Sequence, residues 1–224
     1  MGKSRHYLKV LFSHPSDAMK YLTAIGNAFN RANKAFGELL SVHFDIFYWE
    51  RDAYRSWGDA QLSINEDLVY SADIVVAVFE SRLGTPIHGY ESGTDEEIRI
   101  ASDNGNRHIW VYFSQNGSDV AAPEERERLE KYKQTIGKLC FYSDFTDESD
   151  LAESLFQQIT LYIRKVGDAL KSELGSRPVN ASSSEANTFN VNNNNAQNQQ
   201  FIQNATFYGG NFFASSPAKG DKQK

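Results

Sequence analysis

The chain has 224 residues, of which 40% are hydrophobic and 13% aromatic, enough to bury the core of one large domain. Its formal net charge is −6 and its lysines and arginines do not cluster, so we expect no nucleic-acid-binding face. A single cysteine excludes an intrachain disulfide and fits a reducing cytosol. No apolar run approaches the length of a membrane span, and the N-terminus lacks a signal-peptide core. We therefore expect a cytoplasmic chain that does not enter a membrane.

Apolar runs alternate with helical patterns over the first three quarters of the chain. Strands are predicted at residues 7–12, 42–49, 73–79, 107–114 and 139–142, with helices between them and a last helix over residues 148–174. This alternation predicts an α/β fold, a flavodoxin-like doubly wound five-stranded parallel sheet with helices on both faces. The strand at residues 73–79 is the most hydrophobic and is expected at the centre. Cys140 is expected to be a buried thiol in the fifth strand.

The composition changes after the last predicted helix, which divides the chain into a domain over residues 1–174 and a tail over residues 175–224. Between Arg177 and Lys219 the only charged residue is Glu185, and asparagine dominates. Low charge and few residues able to build a core predict disorder in an isolated chain. Asparagines interleaved with aromatic residues are also typical of segments that assemble into cross-β ladders. Residues 187–214 are therefore equally a candidate assembly or partner-binding motif.

A polar, glycine-rich stretch, residues 81–101, joins the third predicted strand to the next helix. Ligands of open α/β sheets bind at the carboxyl ends of the strands, so we expect the chemistry here. Glu97 lies one turn into the predicted helix and faces back toward the loop, which makes it the candidate reacting group. Thr94 with Glu97 also fits a capping box, as does Ser92 with Asp95. A carboxylate that only caps its own helix is therefore the alternative interpretation.

The chemistry that one carboxylate supports is narrow. The sequence contains no zinc-ligand spacing, no phosphate-binding glycine loop and no nucleophile elbow, so neither a metal nor a resident cofactor is expected. A lone carboxylate near aromatic side chains suits cleavage of an N-glycosidic bond, where it stabilises an oxocarbenium-like sugar or attacks the anomeric carbon. Nicotinamide in NAD is already cationic and leaves as a neutral base without a proton. One glutamate therefore suffices for NAD, whereas a neutral nucleoside needs an added acid.

Three stretches resemble TIR-like domains and the related nucleoside 2-deoxyribosyltransferases. They are residues 12–14, 71–79 and 92–101, and the resemblance covers roughly residues 5–170. In the transferases an acidic residue, glycines and then Glu-x-x-x-Ala open the helix after strand three. Glu91, Gly93, Glu97 and Ala101 match that spacing. The tryptophan–cysteine element that many TIR domains carry before the catalytic glutamate is missing, which leaves cyclase and hydrolase activity both open.

The resemblance implies an NAD glycohydrolase that releases nicotinamide and forms ADP-ribose or a cyclic isomer, with Glu97 as the catalytic residue. In bacteria such domains are often effectors of anti-phage defence, and a neighbouring subunit in an oligomer or filament commonly completes their sites. We therefore expect NAD as substrate and a homo-oligomer or filament. Residues 187–214 of the tail would mediate assembly or bind a partner protein. Neither nucleic acid nor a membrane is expected as a partner.

The other candidate substrate-binding residues flank Glu97 in the predicted topology: Ser13, His14, Trp57, Arg82, Ser92, Gly93 and Thr94. Trp57 is expected to stack on a base or on the nicotinamide ring, or else to fold back on the core. Ser13 and His14 are expected to hold a ribose or a phosphate, although His14 also suits a simple strand end. Arg82 is expected to pair with a pyrophosphate or with a neighbouring glutamate.

Two further hypotheses remain open. A nucleoside or nucleotide N-ribosyl hydrolase, or a deoxyribosyltransferase, would use Glu91 or Asp95 as its proton donor. A non-enzymatic adaptor would assemble through the sheet domain and the tail, with Glu97 only capping its helix. Glu50 and Asp52, which follow the second predicted strand, are expected to bind ribose hydroxyls or to belong to a solvated loop.

Overall fold

The computed structural model describes residues 5–53, 59–106, 108–117 and 122–176, apart from the side chains of 168–176. Within these ranges five strands form one sheet in the order β2-β1-β3-β4-β5, and every neighbouring pair is parallel. The strands are β1 (His6–Ser13), β2 (Val42–Phe47), β3 (Ile74–Phe79), β4 (Ile109–Ser114) and β5 (Tyr142–Phe145). The predicted flavodoxin-like sheet, with the most hydrophobic strand at its centre, is confirmed.

Helices connect the strands in the described part of the chain. They are α1 (Leu22–Leu40), α2 (Trp49–Asp52), α3 (Ala60–Ile64), α4 (Gly93–Asp103), α5 (Pro123–Ile136) and α6 (Glu148–Ser176). A 3₁₀ helix at Ser16–Tyr21 leads into α1, and a π-helical turn at Asn65–Val69 continues α3. Across the described ranges, none of the helices combines the length and the apolar character needed to cross a bilayer.

The central strand separates two apolar layers. Ile74, Val76 and Val78 of β3 belong to the large cluster that α1 and α6 cover, which also contains Trp110 and Tyr112. The intervening β3 residues pack into clusters formed with α4, α5 and the π-helical turn. Both faces of β3 are therefore buried, which is why it appears as one continuous apolar run. Polar groups can converge only where the strands end.

The fifth strand lies three residues later than predicted, at Tyr142–Phe145 and not at 139–142. The amides of Leu139 and Cys140 donate to the carbonyl of Ile136 at 2.9 and 3.0 Å, so these residues belong to a turn after α5. Leu139 is 64% exposed and Phe141 fully exposed, and Cys140 is half-buried in this turn. The expected buried strand thiol is therefore wrong. An apolar run indicates a buried strand only if other parts of the chain cover it. Here β5 is at the edge of the sheet and pairs with β4 alone.

Two smaller boundaries also differ from the prediction. The second strand ends at Phe47, and Trp49 opens the short helix α2. The last helix extends to Ser176, two residues beyond the predicted end of the domain. The tail beyond Ser176, including residues 187–214, lies outside the described residues.

Candidate functional site

The start of helix α4 is capped by Ser92. Its hydroxyl accepts the backbone N–H of Asp95 at 3.1 Å, and the Asp95 carboxylate accepts the N–H of Glu91 at 3.1 Å. The first bond occupies a free amide of the first helical turn, and the second holds the amide of Glu91, the residue just before the cap. The capping role thus falls to Ser92 and Asp95, and the carboxylate of Glu97 bonds to groups outside its own helix.

Glu97 is a buried carboxyl that lies against the end of β1. It is 4% exposed, the Ser13 hydroxyl donates to its Oε2, and the side-chain amide of Gln61 donates to its Oε1 at 3.1 Å. Burial raises the pKa of Glu97 to about 7, because the bonds from Ser13 and Gln61 offset only part of the desolvation and the charges of Glu96 and Glu50 add to it. A carboxyl poised to ionise near neutral pH is typical of catalytic groups.

A chain of hydrogen bonds continues from Gln61 to the loop after β3. Gln61 Nε2 also donates to Oδ1 of Asn65 at 3.3 Å, and Asn65 Nδ2 donates to Oε1 of Glu96 at 3.0 Å. His88 then bridges Glu96, 3.1 Å from its Nδ1, and Asp59, 2.7 Å from its Nε2. Hydrogen bonds to these two carboxylates raise the pKa of His88. The network ties the loop to helix α3 directly beside Glu97.

A second polar pair, a buried histidine and a partly exposed glutamate, lies at the ends of the neighbouring strands β1 and β2. The side chain of His14 is completely buried and its ring lies on that of Phe12, with the centroids 4.1 Å apart. Its Nδ1 is 2.9 Å from the carbonyl oxygen of Pro15, and its Nε2 is 3.5 Å from Oε2 of Glu50. Nε2 of His14 and Oε2 of Glu50 are both buried and have no hydrogen-bond partner among the described residues. Glu50 belongs to the short helix α2 and not to a loop, and its side chain is 27% exposed, so its expected contact with ribose hydroxyls stays a prediction.

The predicted substrate-binding residues are only partly brought together. Ser13 contacts Glu97, and Gly93 opens α4 at a point where an added Cβ would lie 2.6 Å from Oε1 of Gln61. A glycine there therefore lets Gln61 reach Glu97. Thr94 is buried in the first turn of the same helix.

The expected substrate contacts of two further residues stay predictions. Arg82 is exposed and forms no ion pair with any carboxylate of the described chain, while Glu80 pairs with Lys20 at 2.7 Å. Trp57 lies in the segment 54–58, outside the described residues.

The structure adds four polar side chains that the sequence reasoning missed: Gln61, Asn65, His88 and Glu96. Gln61 and Asn65 are four residues apart, so helical spacing alone indicates that they share a face. Nothing in the sequence indicates that His88, with φ of 51°, turns toward Glu96 and Asp59. That placement depends on the folded loop.

A separate cavity of about 400 Å³ lies between α4 and α5, and Glu97 is not among the residues that line it. Asp95 lines it, and Oδ1 of Asp95 accepts hydrogen bonds from Arg99 Nε and from the Tyr132 hydroxyl, both at 3.0 Å. Within the described ranges, no group of three or more His, Cys, Asp or Glu side chains is placed to hold a metal ion.

Comparison with known proteins matches the chain to one family and to several solved structures. No curated protein matches the chain. The TIR domains of the activated Roq1 resistosome, a structure described as directly recognizing the pathogen effector XopQ, are similar at 13% identity and a TM-score of 0.35. That similarity covers 75% of this chain and 94% of the Roq1 chain, and it carries no information about activity. The family described as a domain of unknown function, DUF4062, matches residues 32–160, more than half of the chain. The chain therefore belongs to the DUF4062 family.

Proposed function

We propose that this chain cleaves the N-glycosidic bond of NAD and releases nicotinamide, with Glu97 as the reacting carboxylate. The observation that carries the proposal is the environment of that group. Glu97 is buried beside the end of β1, it is held by two neutral donors, and its pKa is raised to about 7. A structural carboxylate at such a depth is normally paired with a cation or with amides of its own helix.

The charges around Glu97 favour a cationic ligand. No lysine or arginine of the described chain pairs with Glu97, while Glu96 and Glu50 add negative charge around it. A pyridinium ring bound here lowers the pKa of Glu97, because an opposite charge stabilises the ionised carboxyl. The substrate itself thus converts the group to the form that the reaction needs.

The reaction balances with this one carboxylate. When the C–N bond breaks, its electron pair goes to the pyridinium ring, which leaves as neutral nicotinamide. The positive charge left on the sugar is stabilised by ionised Glu97, or Glu97 bonds to the anomeric carbon. Water then adds to that carbon, displacing Glu97 if the two are bonded, and yields ADP-ribose, or an internal nucleophile of the same molecule adds and yields a cyclic isomer. In either case the proton lost by the nucleophile goes to Glu97 and from there to solvent.

A neutral nucleoside substrate fits this site less well. That reaction needs a proton donor, and the candidates were Glu91 and Asp95. Asp95 is occupied as an acceptor by Arg99, Tyr132 and the Glu91 amide, and both acidic residues line the cavity that excludes Glu97. These contacts favour NAD over a substrate that needs a proton donor.

We further propose that assembly switches the activity on, as in a TIR-like effector of anti-phage defence. The support is the sequence resemblance, the asparagine-rich composition of residues 187–214, and the state of Glu97 in the single chain. Glu97 is 4% exposed and bonded to Gln61, so it must be uncovered before a substrate reaches it.

The test is chromatography of NAD incubated with the purified full chain, both dilute and under conditions that polymerise it. We expect nicotinamide release by the wild type, with a large increase on assembly, and none by Glu97→Gln. Glu80→Gln is the matched control, since Glu80 is equally buried but paired with Lys20. Absence of nicotinamide in both states of the wild type, with base release from neutral nucleosides instead, would favour the N-ribosyl hydrolase. No release from any substrate would favour the adaptor.

A further inference from the structure

The pair of His14, whose side chain is completely buried, and Glu50, whose side chain is 27% exposed but whose Oε2 is buried, has no role in the bond cleavage described above. Its two atoms, Nε2 of His14 and Oε2 of Glu50, are 3.5 Å apart at the ends of β1 and β2. The pair is close to the reacting group, because Ser13, the residue before His14, donates to Glu97. The charge of Glu50 also contributes to the raised pKa of Glu97.

The hydrogen bonding of His14 fixes which of its ring nitrogens is free. Nδ1 lies 2.9 Å from the carbonyl oxygen of Pro15, which can only accept, so Nδ1 carries the hydrogen. In the neutral ring Nε2 is then an acceptor. It faces a carboxylate oxygen of Glu50, another acceptor, and neither atom has a hydrogen-bond partner in the described structure.

Two buried acceptor atoms that lie 3.5 Å apart require donors. Buried polar groups are nearly always hydrogen-bonded, so a pair left unsatisfied in a free site indicates a ligand that supplies hydrogen. A phosphate is a poor candidate, because its oxygens are acceptors and the carboxylate of Glu50 repels it. Hydroxyl groups donate readily to both an imidazole nitrogen and a carboxylate oxygen.

We propose that His14 and Glu50 form a ribose-binding subsite, which accepts hydrogen bonds from two neighbouring hydroxyl groups of the sugar whose anomeric carbon faces Glu97. This inference rests on the proposed function and adds its sugar specificity. The pair selects ribosides over deoxyribosides, because a sugar that lacks a hydroxyl leaves a buried acceptor unpaired. It also orients the sugar, since two bonds from one side of the ring fix the position of the anomeric carbon relative to Glu97.

The test measures binding, so that it does not depend on turnover. Calorimetry on full-length Glu97→Gln, under the conditions that polymerise the chain, compares NAD with two analogues that lack the 2′ or the 3′ hydroxyl of the nicotinamide ribose. We expect at least one analogue to bind about ten-fold more weakly than NAD. Adding Glu50→Ala or His14→Phe should weaken the binding of NAD by a similar factor. The same substitution should weaken the binding of the sensitive analogue by less than about two-fold, because the substitution and the missing hydroxyl remove the same hydrogen bond.

Matched controls separate this role from a structural one. Glu153→Gln removes an exposed carboxylate far along the chain, in α6, and should leave the preference unchanged. Glu50→Gln keeps one acceptor oxygen and should retain part of the preference even if Glu50→Ala folds poorly. The subsite is overturned if NAD does not bind, if both analogues bind as well as NAD, or if the variants weaken all three ligands equally while lowering the melting temperature. The last result would identify a charged structural pair.

The proposed function and the subsite can fail separately. If the wild type releases no nicotinamide but binds NAD with a hydroxyl preference that Glu50→Ala abolishes, the cleavage proposal fails and the subsite stands. If nicotinamide is released but the preference is absent or survives both variants, the subsite fails and the cleavage proposal stands.

Discussion

Two buried glutamates near the end of the central strand behave in opposite ways. Glu80, directly after β3, is 5% exposed, and Glu97, in the first turns of α4, is 4% exposed. Burial tends to raise the pKa of both. For Glu80, hydrogen bonds from Lys20, Tyr21 and Ser114 outweigh burial and bring the pKa below its ordinary value. For Glu97, burial wins and the pKa rises to about 7.

The difference shows that depth alone does not make a carboxylate reactive. The decisive difference is the cation: Lys20 lies 2.7 Å from Glu80, whereas Glu97 has only the neutral donors Ser13 and Gln61. A carboxylate that already has its cation is held in one ionised state. A carboxylate without one is free to pair with the charge of a substrate and to change its protonation state during a reaction.

The largest effect expected from this contrast is on activity. Glu97→Gln removes the charge that the sugar needs and should lower nicotinamide release by at least about 10³-fold. Glu80→Gln should stay within about three-fold of the wild type, because it breaks a pair that does not reach Glu97. Both rates are measured on assembled protein under identical conditions. Equal losses in the two variants would mean that only fold stability is being measured.

The two substitutions should also change stability in opposite directions. The folded pKa of Glu97 is raised from 4.5 to about 7, so the wild type loses stability as pH rises from about 4.5 to about 7 and stays at that lower value above it. Glu97→Gln should therefore raise the free energy of unfolding at pH 8 by up to about 3 kcal/mol and change little at pH 4.

For Glu80 the sign is reversed. Its folded pKa is lowered, so its contribution is present above about pH 4.5 and lost as pH falls through the folded pKa. Glu80→Gln should cost about 1 kcal/mol at both pH 8 and pH 5, a modest figure because Lys20 is half exposed. Urea denaturation at pH 4, 5 and 8 measures both variants. A Glu97→Gln protein less stable than wild type at pH 8 would contradict the raised pKa.

The pH dependence of cleavage sharpens the same contrast. Because ionised Glu97 is the reactive form and its pKa is about 7 in the free protein, kcat/KM should fall about ten-fold per pH unit below pH 7 and level off above it. The pH below which kcat declines should be lower than the corresponding pH for kcat/KM, since the bound pyridinium favours the ionised carboxyl. Initial rates between pH 5.5 and 8.5 measure both. A decline above pH 7 instead would identify Glu97 as a proton donor.

The sequence predicts the sheet far better than it predicts the site. The run at Ile74–Phe79 and the helical spacing in α1 and α6 are dictated by burial, which repeats along the chain with a fixed period. The same rule fails at Leu139 and Phe141, where apolar side chains lie at an exposed sheet edge. The hydrophobic pattern of a sequence does not show which surface of the folded sheet remains exposed.

The site depends on contacts between distant parts of the chain. The proximity of Ser13 to Glu97 follows from parallel strand order, and the sequence predicted it. The approach of Gln61 to Glu97 depends on the missing side chain at Gly93, and the approach of His14 to Glu50 depends on a short helix after β2. Such contacts are set by a few tenths of an ångström of packing, which no spacing rule contains.

The smallest expected effect comes from Gly93, which lets Gln61 reach Glu97. In Gly93→Ala the new Cβ would lie 2.6 Å from Oε1 of Gln61, the end of a flexible side chain, so Gln61 should swing away at a cost within about 1 kcal/mol of stability. Glu97 then loses a donor that lowers its pKa, so the decline of kcat/KM at acidic pH should begin at a higher pH than in the wild type. Gly26→Ala, in the second turn of α1 with nothing within 4 Å of its added Cβ, is the control. It should gain about 0.5–1 kcal/mol of stability and leave the pH dependence of kcat/KM unchanged. If the pH profile of kcat/KM is unchanged in Gly93→Ala, Gln61 does not affect the pKa of Glu97. The raised pKa would then reflect burial and the neighbouring carboxylates alone.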